Sequence, residues 1–372
     1  MAPGGLGVTA TGAAIIDVRS GPLHLRGRAI HVPYRDPFRI ARSEGGDGMT
    51  SVIVELRHAD WPDLVGYGEG YPDAYYGETV DTIAVVLPLL LARVDPDDLE
   101  TDGSGAAAAL GRAAAAANDV IAHHGAAKCA LDIALHDLLG KRVGLPVHRL
   151  LGLPAEIPPT DFTIGIDEPE VVAERARRAS RFPALKIKVG GPNDLETLEA
   201  VRRVYDGPLR VDANTGWQPD AGARLVPDLV RLGVELIEQP FPRHRLDQLA
   251  WLQERSELPI VADESAVTID DLDGLVGVVA GVNVKLAKCG GVGPAKRMLE
   301  RARELGFRTF EGCMEETRVG IAASAAVASL ADWVDLDGCL LLAHDPFEGL
   351  ELDDACRWRL SSEPGLGVRP AA

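Results

Sequence analysis

The run LKIKVGG, Leu185 to Gly191, places two lysines one residue apart among apolar neighbours. Leu185, Ile187 and Val189 are strand formers. Side chains alternate faces along a strand, so Lys186 and Lys188 point one way and Ile187 the other. On an interior face, burial and like charge both penalise such a pair, and opposite charge must compensate it. Carboxylates end several similar runs further along: Asp212 in RVDANTGW, Glu238 in LIEQP, Asp263 in VADES, and Asp335 with Asp337 in VDLDG. A third lysine, Lys285, ends the strand-like part of NVKLAKCGG. Three carboxylates on consecutive strands repel one another unless a cation joins them. Oxygen-only ligands select a hard divalent ion, Mg²⁺ first, with Mn²⁺ possible. None of the nine histidines falls in this set, which argues against zinc. A metal between two lysines is a constellation for moving protons.

These residues need a scaffold that brings strand ends together. Eight short apolar runs recur from about residue 160: FTIGI, LKIKV, LRVDA, ELIEQ, PIVAD, VNVKL, RTFEG and WVDLD. Their centres, near residues 164, 187, 211, 237, 261, 284, 310 and 335, are 23 to 26 residues apart. That length holds a strand plus a crossover helix. Eight such units predict an α/β fold, a closed (β/α)8 barrel of the TIM type, with the ionisable residues on its C-terminal, catalytic face. An open doubly wound sheet needs a Gly-rich phosphate loop after its first strand, and TIGIDEPE is not one. The earlier part of the chain reads as α+β. Extended segments are expected at PLHLRGRAIHVPY and MTSVIVELRH, and helices at GETVDTIAVVLPLLLARV and KCALDIALHDLLGKRV. The division expected is 1–127 for the α+β domain, with 352–372 returning to it, and 128–351 for the barrel. The Ala-rich stretch 104–117 is expected to be a tolerated surface insertion whose second half favours helix.

The chain of 372 residues is 46% apolar, enough for a large core. A formal net charge of -18 argues against a nucleic-acid or anionic-membrane partner. Five cysteines, an odd number with no CxxC, predict reduced thiols and a cytoplasmic setting. The N-terminus lacks a basic, then apolar, leader pattern. The most apolar window, TIAVVLPLLLARV, is too short to span a bilayer and contains Pro88.

Together KIK, VDANTGW, IEQP, ADES and NVKLAKCGG resemble the enolase superfamily, in its muconate-lactonising subgroup, from about Pro37 to Pro346. The resemblance implies a modified barrel with an α+β capping domain. It implies Mg²⁺ on Asp212, Glu238 and Asp263, Lys188 and Lys285 as acid/base residues, and Lys186 in support. GYGEGYPDAYYGET, TIGI, GCMEETRVG and WVDLDGCLLLAHDP look most like the dipeptide epimerases of the L-Ala-D/L-Glu type. There an Asp-x-Asp on the eighth strand binds the dipeptide's α-ammonium, and Asp335 and Asp337 match it. The implied reaction is 1,1-proton transfer at the α-carbon of the C-terminal residue, in a homo-oligomer acting on a small dipeptide. The alternatives on this scaffold are o-succinylbenzoate synthase, muconate cycloisomerase and N-acylamino-acid racemase, whose substrates offer no ammonium to the aspartates. Arg42, in PFRIARSEGG, is expected on a capping loop that meets substrate. Glu311 and Glu315, in TFEGCMEET, replace expected apolar residues. They are read as facing the side-chain pocket and favouring a cationic substrate.

Overall fold

The structure, a computed structural model, describes residues 15–372. Its first part is an antiparallel sheet of β1 (Ile15–Ser20), β2 (Leu23–Ile40), β3 (Ser43–His58) and β4 (Trp61–Gly70), in chain order. Leu23 and Leu25 of β2 and Val52, Val54 and Leu56 of β3 are fully buried, as alternation requires for a sheet covered on one side. Helices α1 (Val80–Leu91), α2 (Ala106–Val120) and α3 (Gly125–Val143) follow; α1 and α3 cover the sheet, and α2 packs on both of them. The two extended segments expected from the sequence became β2 and β3. β1 and β4 were not anticipated. The glycines of β4, WPDLVGYGEG, let α3 lie against the sheet. A Cβ at Gly68 would fall 2.0 Å from the carbonyl oxygen of Ala130.

Two expectations need correcting. The Ala-rich stretch is no surface insertion: it forms α2, whose Ala106, Leu110 and Ala117 are buried in the cap core. Alanine is the strongest helix former and lets this helix sit close to its neighbour α3. The boundary at 127/128 falls inside α3. That helix is buried nearly all round because it serves two cores. Ala126, Ala130, Ala134 and Leu138 belong to the cap cluster, and Cys129 and Ile133 to the barrel cluster.

The eight apolar runs are all strands: β5 (Phe162–Ile164), β6 (Leu185–Lys188), β7 (Leu209–Asp212), β8 (Val234–Glu238), β9 (Ile260–Ala262), β10 (Gly281–Lys285), β11 (Arg308–Gly312) and β12 (Trp333–Asp335). They pair in parallel in chain order. A parallel bridge between Thr160 and Val334 closes the ring, and the Asp161 N–H donates to the Val334 carbonyl at 3.0 Å. Ile187, Val211, Ile237 and Val284 join the apolar layer shared with the surrounding helices. Inside, Leu236, Val261, Phe310 and Trp333 form a separate apolar plug. The C-terminal segment packs on both domains. The Trp358 indole N–H donates to the Leu336 carbonyl at 2.7 Å, and the Leu366 N–H to Asp137 of α3 at 2.8 Å. All five cysteines are free thiols. No helix among the described residues is long and apolar enough to cross a membrane.

The long hairpin β2–β3 matters most for position. Its tip leaves the cap sheet and settles on the barrel mouth. The Ile166 N–H donates to the Arg39 carbonyl at 2.9 Å. Ala41 sits against Gly190 and Gly216, where an added Cβ would come within 2.6 Å of the alanine's own.

Candidate active site

Strand phase decides what the mouth contains. Lys188 pairs in register with Asp212, and Asp212 with Glu238, so the three side chains share the inner face at the C-terminal strand ends. Asp263 follows directly after β9. Lys285 ends β10, four strands round the ring from β6, so the two lysines stand on opposite sides of one cavity. That cavity measures about 690 Å³ and is roofed by the hairpin tip and the segment around Tyr71 to Tyr75.

Every lysine here is matched by a carboxylate. Lys188 Nζ donates to Asp212 at 2.7 Å, and Lys285 Nζ to Asp263 at 2.9 Å. Lys186, 1% exposed, lies between three acids: Asp335 at 2.7 Å, Glu238 at 2.8 Å and Asp212 at 3.3 Å. Burial opposes its charge, but Asp335, Glu238 and Asp212 together hold its ammonium well above the usual lysine range. Burial likewise works against Lys285, and Asp263 more than offsets it, so this group too is held above its ordinary value. Asp263 is kept well below the usual carboxylate range, against its burial, by Lys285 and Lys288. Burial, and then Asp212, push Glu238 up to about 7.

The carboxylate trio fits a hard divalent ion. All three groups are buried, on adjacent strands, with oxygen donors only. One oxygen of Glu238 makes no hydrogen bond and is held by the Lys186 charge alone. The loops that follow are stiffened in unusual conformations. Asn214, Thr215 and Gln239 have φ of 40°, 68° and 33°. The Asn214 N–H donates to Asp212 at 3.0 Å, and the Gln239 side-chain oxygen accepts from the N–H groups of Asp263 and Ser265, each at 3.0 Å. Backbone strain of this kind costs about 1–3 kcal/mol per residue and is kept where positioning matters.

The aspartate pair lies at the mouth beside β5. Asp335 accepts from the Thr163 hydroxyl at 3.1 Å, and Asp337 from the Thr163 N–H. Burial raises Asp335 but Lys186 wins and holds it below the ordinary range. Burial and the Asp335 charge push Asp337 well above it. Arg42 does reach the cavity from the hairpin tip. It is already engaged, by Asp73 at 3.2 Å and by Glu264 at 3.1 Å, and it stacks over the Tyr75 ring at 4.6 Å.

Glu311 is a correction. Asn283, Lys285, Phe310 and Gly312 hold the inner phase on β10 and β11, so Glu311, paired with Val284 and Val334, faces outward. It is fully buried behind the strand, with neither oxygen hydrogen-bonded. Burial, and then Glu316, raise its carboxyl well above the usual range. It does not line the cavity; Glu315 does. Two residues escaped the sequence reading. Lys288 donates to the Asp263 carboxylate and to the carbonyls of Asp263, Asn283 and Ala266. Glu264, fully buried, anchors Arg42. Their only signal was adjacency to Lys285 and Asp263.

Residues 27–152 match a profile described as the mandelate racemase/muconate lactonizing enzyme N-terminal domain, and residues 170–372 one described as enolase C-terminal domain-like. The chain belongs to this family. It is 39% identical over 322 residues to an L-Ala-D/L-Glu epimerase of Bacteroides thetaiotaomicron, covering 85% of this chain and 80% of that one. Among solved structures it resembles a dipeptide epimerase of Enterococcus faecalis complexed with Mg and L-Leu-L-Tyr. The TM-score is 0.84 at 31% identity, over 95% of this chain and 99% of that one. A dipeptide epimerase of Methylococcus capsulatus complexed with Mg and L-Arg-D-Lys is similar at TM-score 0.79 and 34% identity, again over 95% and 99%.

Proposed function

We propose that this chain is a Mg²⁺-dependent dipeptide epimerase, inverting the α-carbon of the dipeptide's C-terminal residue. The observation that carries the reading is the pair of lysines on opposite sides of one cavity, with three buried carboxylates between them. Asp212, Glu238 and Asp263 would hold the metal. When bound, Mg²⁺ stabilises the negative charge that develops on the substrate carboxylate as the α-proton leaves. Lys188 and Lys285 then divide the work: one takes the α-proton, and the other returns a proton to the opposite face. Both are ion-paired as they stand, so base duty requires the bond to Asp212 or Asp263 to loosen first. Lys186 stays charged and holds the acids in place. Asp335 and Asp337 would receive the substrate's α-ammonium. The muconate cycloisomerase, o-succinylbenzoate synthase and N-acylamino-acid racemase readings offer that pair no substrate ammonium.

The test is a dipeptide library incubated with the enzyme and Mg²⁺ in D₂O, with deuterium at the α-carbon of the C-terminal residue read by mass spectrometry. Incorporation should be abolished by EDTA, restored by Mg²⁺, and weak for N-acetylated dipeptides. No incorporation into any dipeptide would overturn the assignment.

Charge balance in the cavity supports a finer reading, a cationic side chain on the substrate. The four cations lining it, Arg42, Lys186, Lys188 and Lys285, are all ion-paired. Glu315 has no ion-pair partner among the described residues and lies beside Tyr34 and Tyr71. A pair of charges about 4 Å apart at an effective dielectric near 20 gains roughly 4 kcal/mol before desolvation. A third of that is about tenfold in kcat/KM. The preference for Lys- or Arg-containing dipeptides over Ala-Glu should therefore fall about tenfold in Glu315→Gln. A preference for Ala-Glu that the substitution leaves unchanged would sink the cationic pocket and leave the epimerase assignment standing.

A further inference from the structure

A second cavity, about 510 Å³, lies between cap and barrel beside the first, and Tyr75 borders both. Lys128, in the first turn of α3, lines it and is only 8% exposed. Among the described residues its ammonium has no hydrogen bond and no carboxylate within ion-pairing distance. Its stem runs along Gly290, where even a Cβ would come 3.3 Å from that of Lys128. Arg243 and Arg297 border the same cavity, are exposed, and are likewise without ion pairs.

Two acids face this group. Glu78 is occupied by the Ala126 N–H, at 3.1 and 3.3 Å to its two oxygens. Burial pushes its carboxyl up to about 7, so it is only a partial counter-charge. Asp270 is exposed at the rim. The N-cap of α3, His124, gives the helix start no side-chain bond. In a chain of net charge -18, three unpaired cations around one cavity do not follow from a generally basic surface. The Lys128 side chain is largely buried while its ammonium stays open to the crevice. A partly desolvated cation without a partner is costly, and a site that binds an anion offsets that cost when filled.

We propose that this crevice binds a small dianion, an inorganic phosphate or a dicarboxylate, with Lys128 beneath it and Arg243 and Arg297 closing round it. The site is separate from the catalytic residues, none of which it uses. Lys288 nevertheless reaches its wall while holding Asp263, so the occupant lies one side chain from the carboxylate trio.

Titration calorimetry of the full chain with phosphate, and separately with succinate, at constant ionic strength tests this. At least one anion should bind saturably with Kd below about 1 mM, and which one does so identifies the source of the charge. Lys128→Met should weaken binding at least about tenfold, and Lys128→Arg should largely retain it. The double variant Arg243→Gln with Arg297→Gln changes only exposed residues, so it provides a folded control. It should lose several-fold in affinity, with the basal rate of α-proton exchange unchanged. Absence of saturable binding by both anions, or equal affinity in the wild type and the double variant, would overturn the proposal. The readout is binding, so it stands or falls independently of the epimerase assignment.

Discussion

Lys285→Ala is expected to lower epimerisation by roughly 10²–10⁴-fold, the loss of one positioned acid/base group, while α-proton exchange survives for one stereoisomer only. The two lysines approach from β6 and β10, on opposite sides of the ring, and are held by different carboxylates. Removing one leaves the other its own partner. The remaining lysine can still take and return a proton on its own face, which exchanges hydrogen for deuterium without inverting the centre. Starting from the two C-terminal epimers separately, proton NMR in D₂O should show exchange from one and not the other. Lys188→Ala should reverse which one. The fold should tolerate Lys285→Ala because Asp263 keeps Lys288, buried and bonded to the same carboxylate. Epimerisation near the parent rate in either variant would end the two-base scheme.

What was legible in advance follows from where each residue sits. Parallel strands buried on both faces read as continuous apolar runs, so the eight strands stood out, and the acids and lysines at their ends stood out with them. The glycine-rich β4 did not, because its reason to be a strand is the close approach of α3, which only tertiary structure supplies. Alternation told that Glu311 and Gly312 face opposite ways, but not which faces in. The phase is set by the neighbour: Lys285 pairs with Gly312, so Glu311 turns outward. Arg42 lines the cavity, yet its partners Asp73 and Glu264 lie 31 and 222 residues away in the chain (73 − 42 and 264 − 42), and no periodicity links them. The ion pairing of Lys186 with Asp335, across 149 residues, was equally hidden.

That pairing underlies the largest expected effect on stability. Lys186→Met should destabilise the substrate-free, metal-free protein by about 3–5 kcal/mol, because it strands Asp335 and Glu238, which have no other ion-pair partner among the described residues, and leaves Asp212 to Lys188 alone. Lys186 is 1% exposed and its ammonium holds Asp335, Glu238 and Asp212 together. Methionine replaces the stem but not the charge, so packing against Phe310 is largely kept and the deficit is electrostatic. The sign with pH follows. In the wild type, Asp335 is held below its unfolded value, so its contribution is present above the unfolded pKa and is lost as pH falls through the folded one. In the variant the same carboxylate, buried without its lysine, is raised instead, and its ionisation opposes folding at neutral pH. The gap between the two proteins should therefore be widest near neutrality and narrow in acid, below about pH 4, as the stranded acids protonate. Mg²⁺ should recover more stability in the variant than in the wild type, since a dication on Asp212 and Glu238 replaces the missing charge. Urea denaturation at the two pH values, with and without Mg²⁺, gives all four comparisons. An unchanged midpoint, or a deficit that widens in acid, would show that Lys186 is not what holds these acids in the fold.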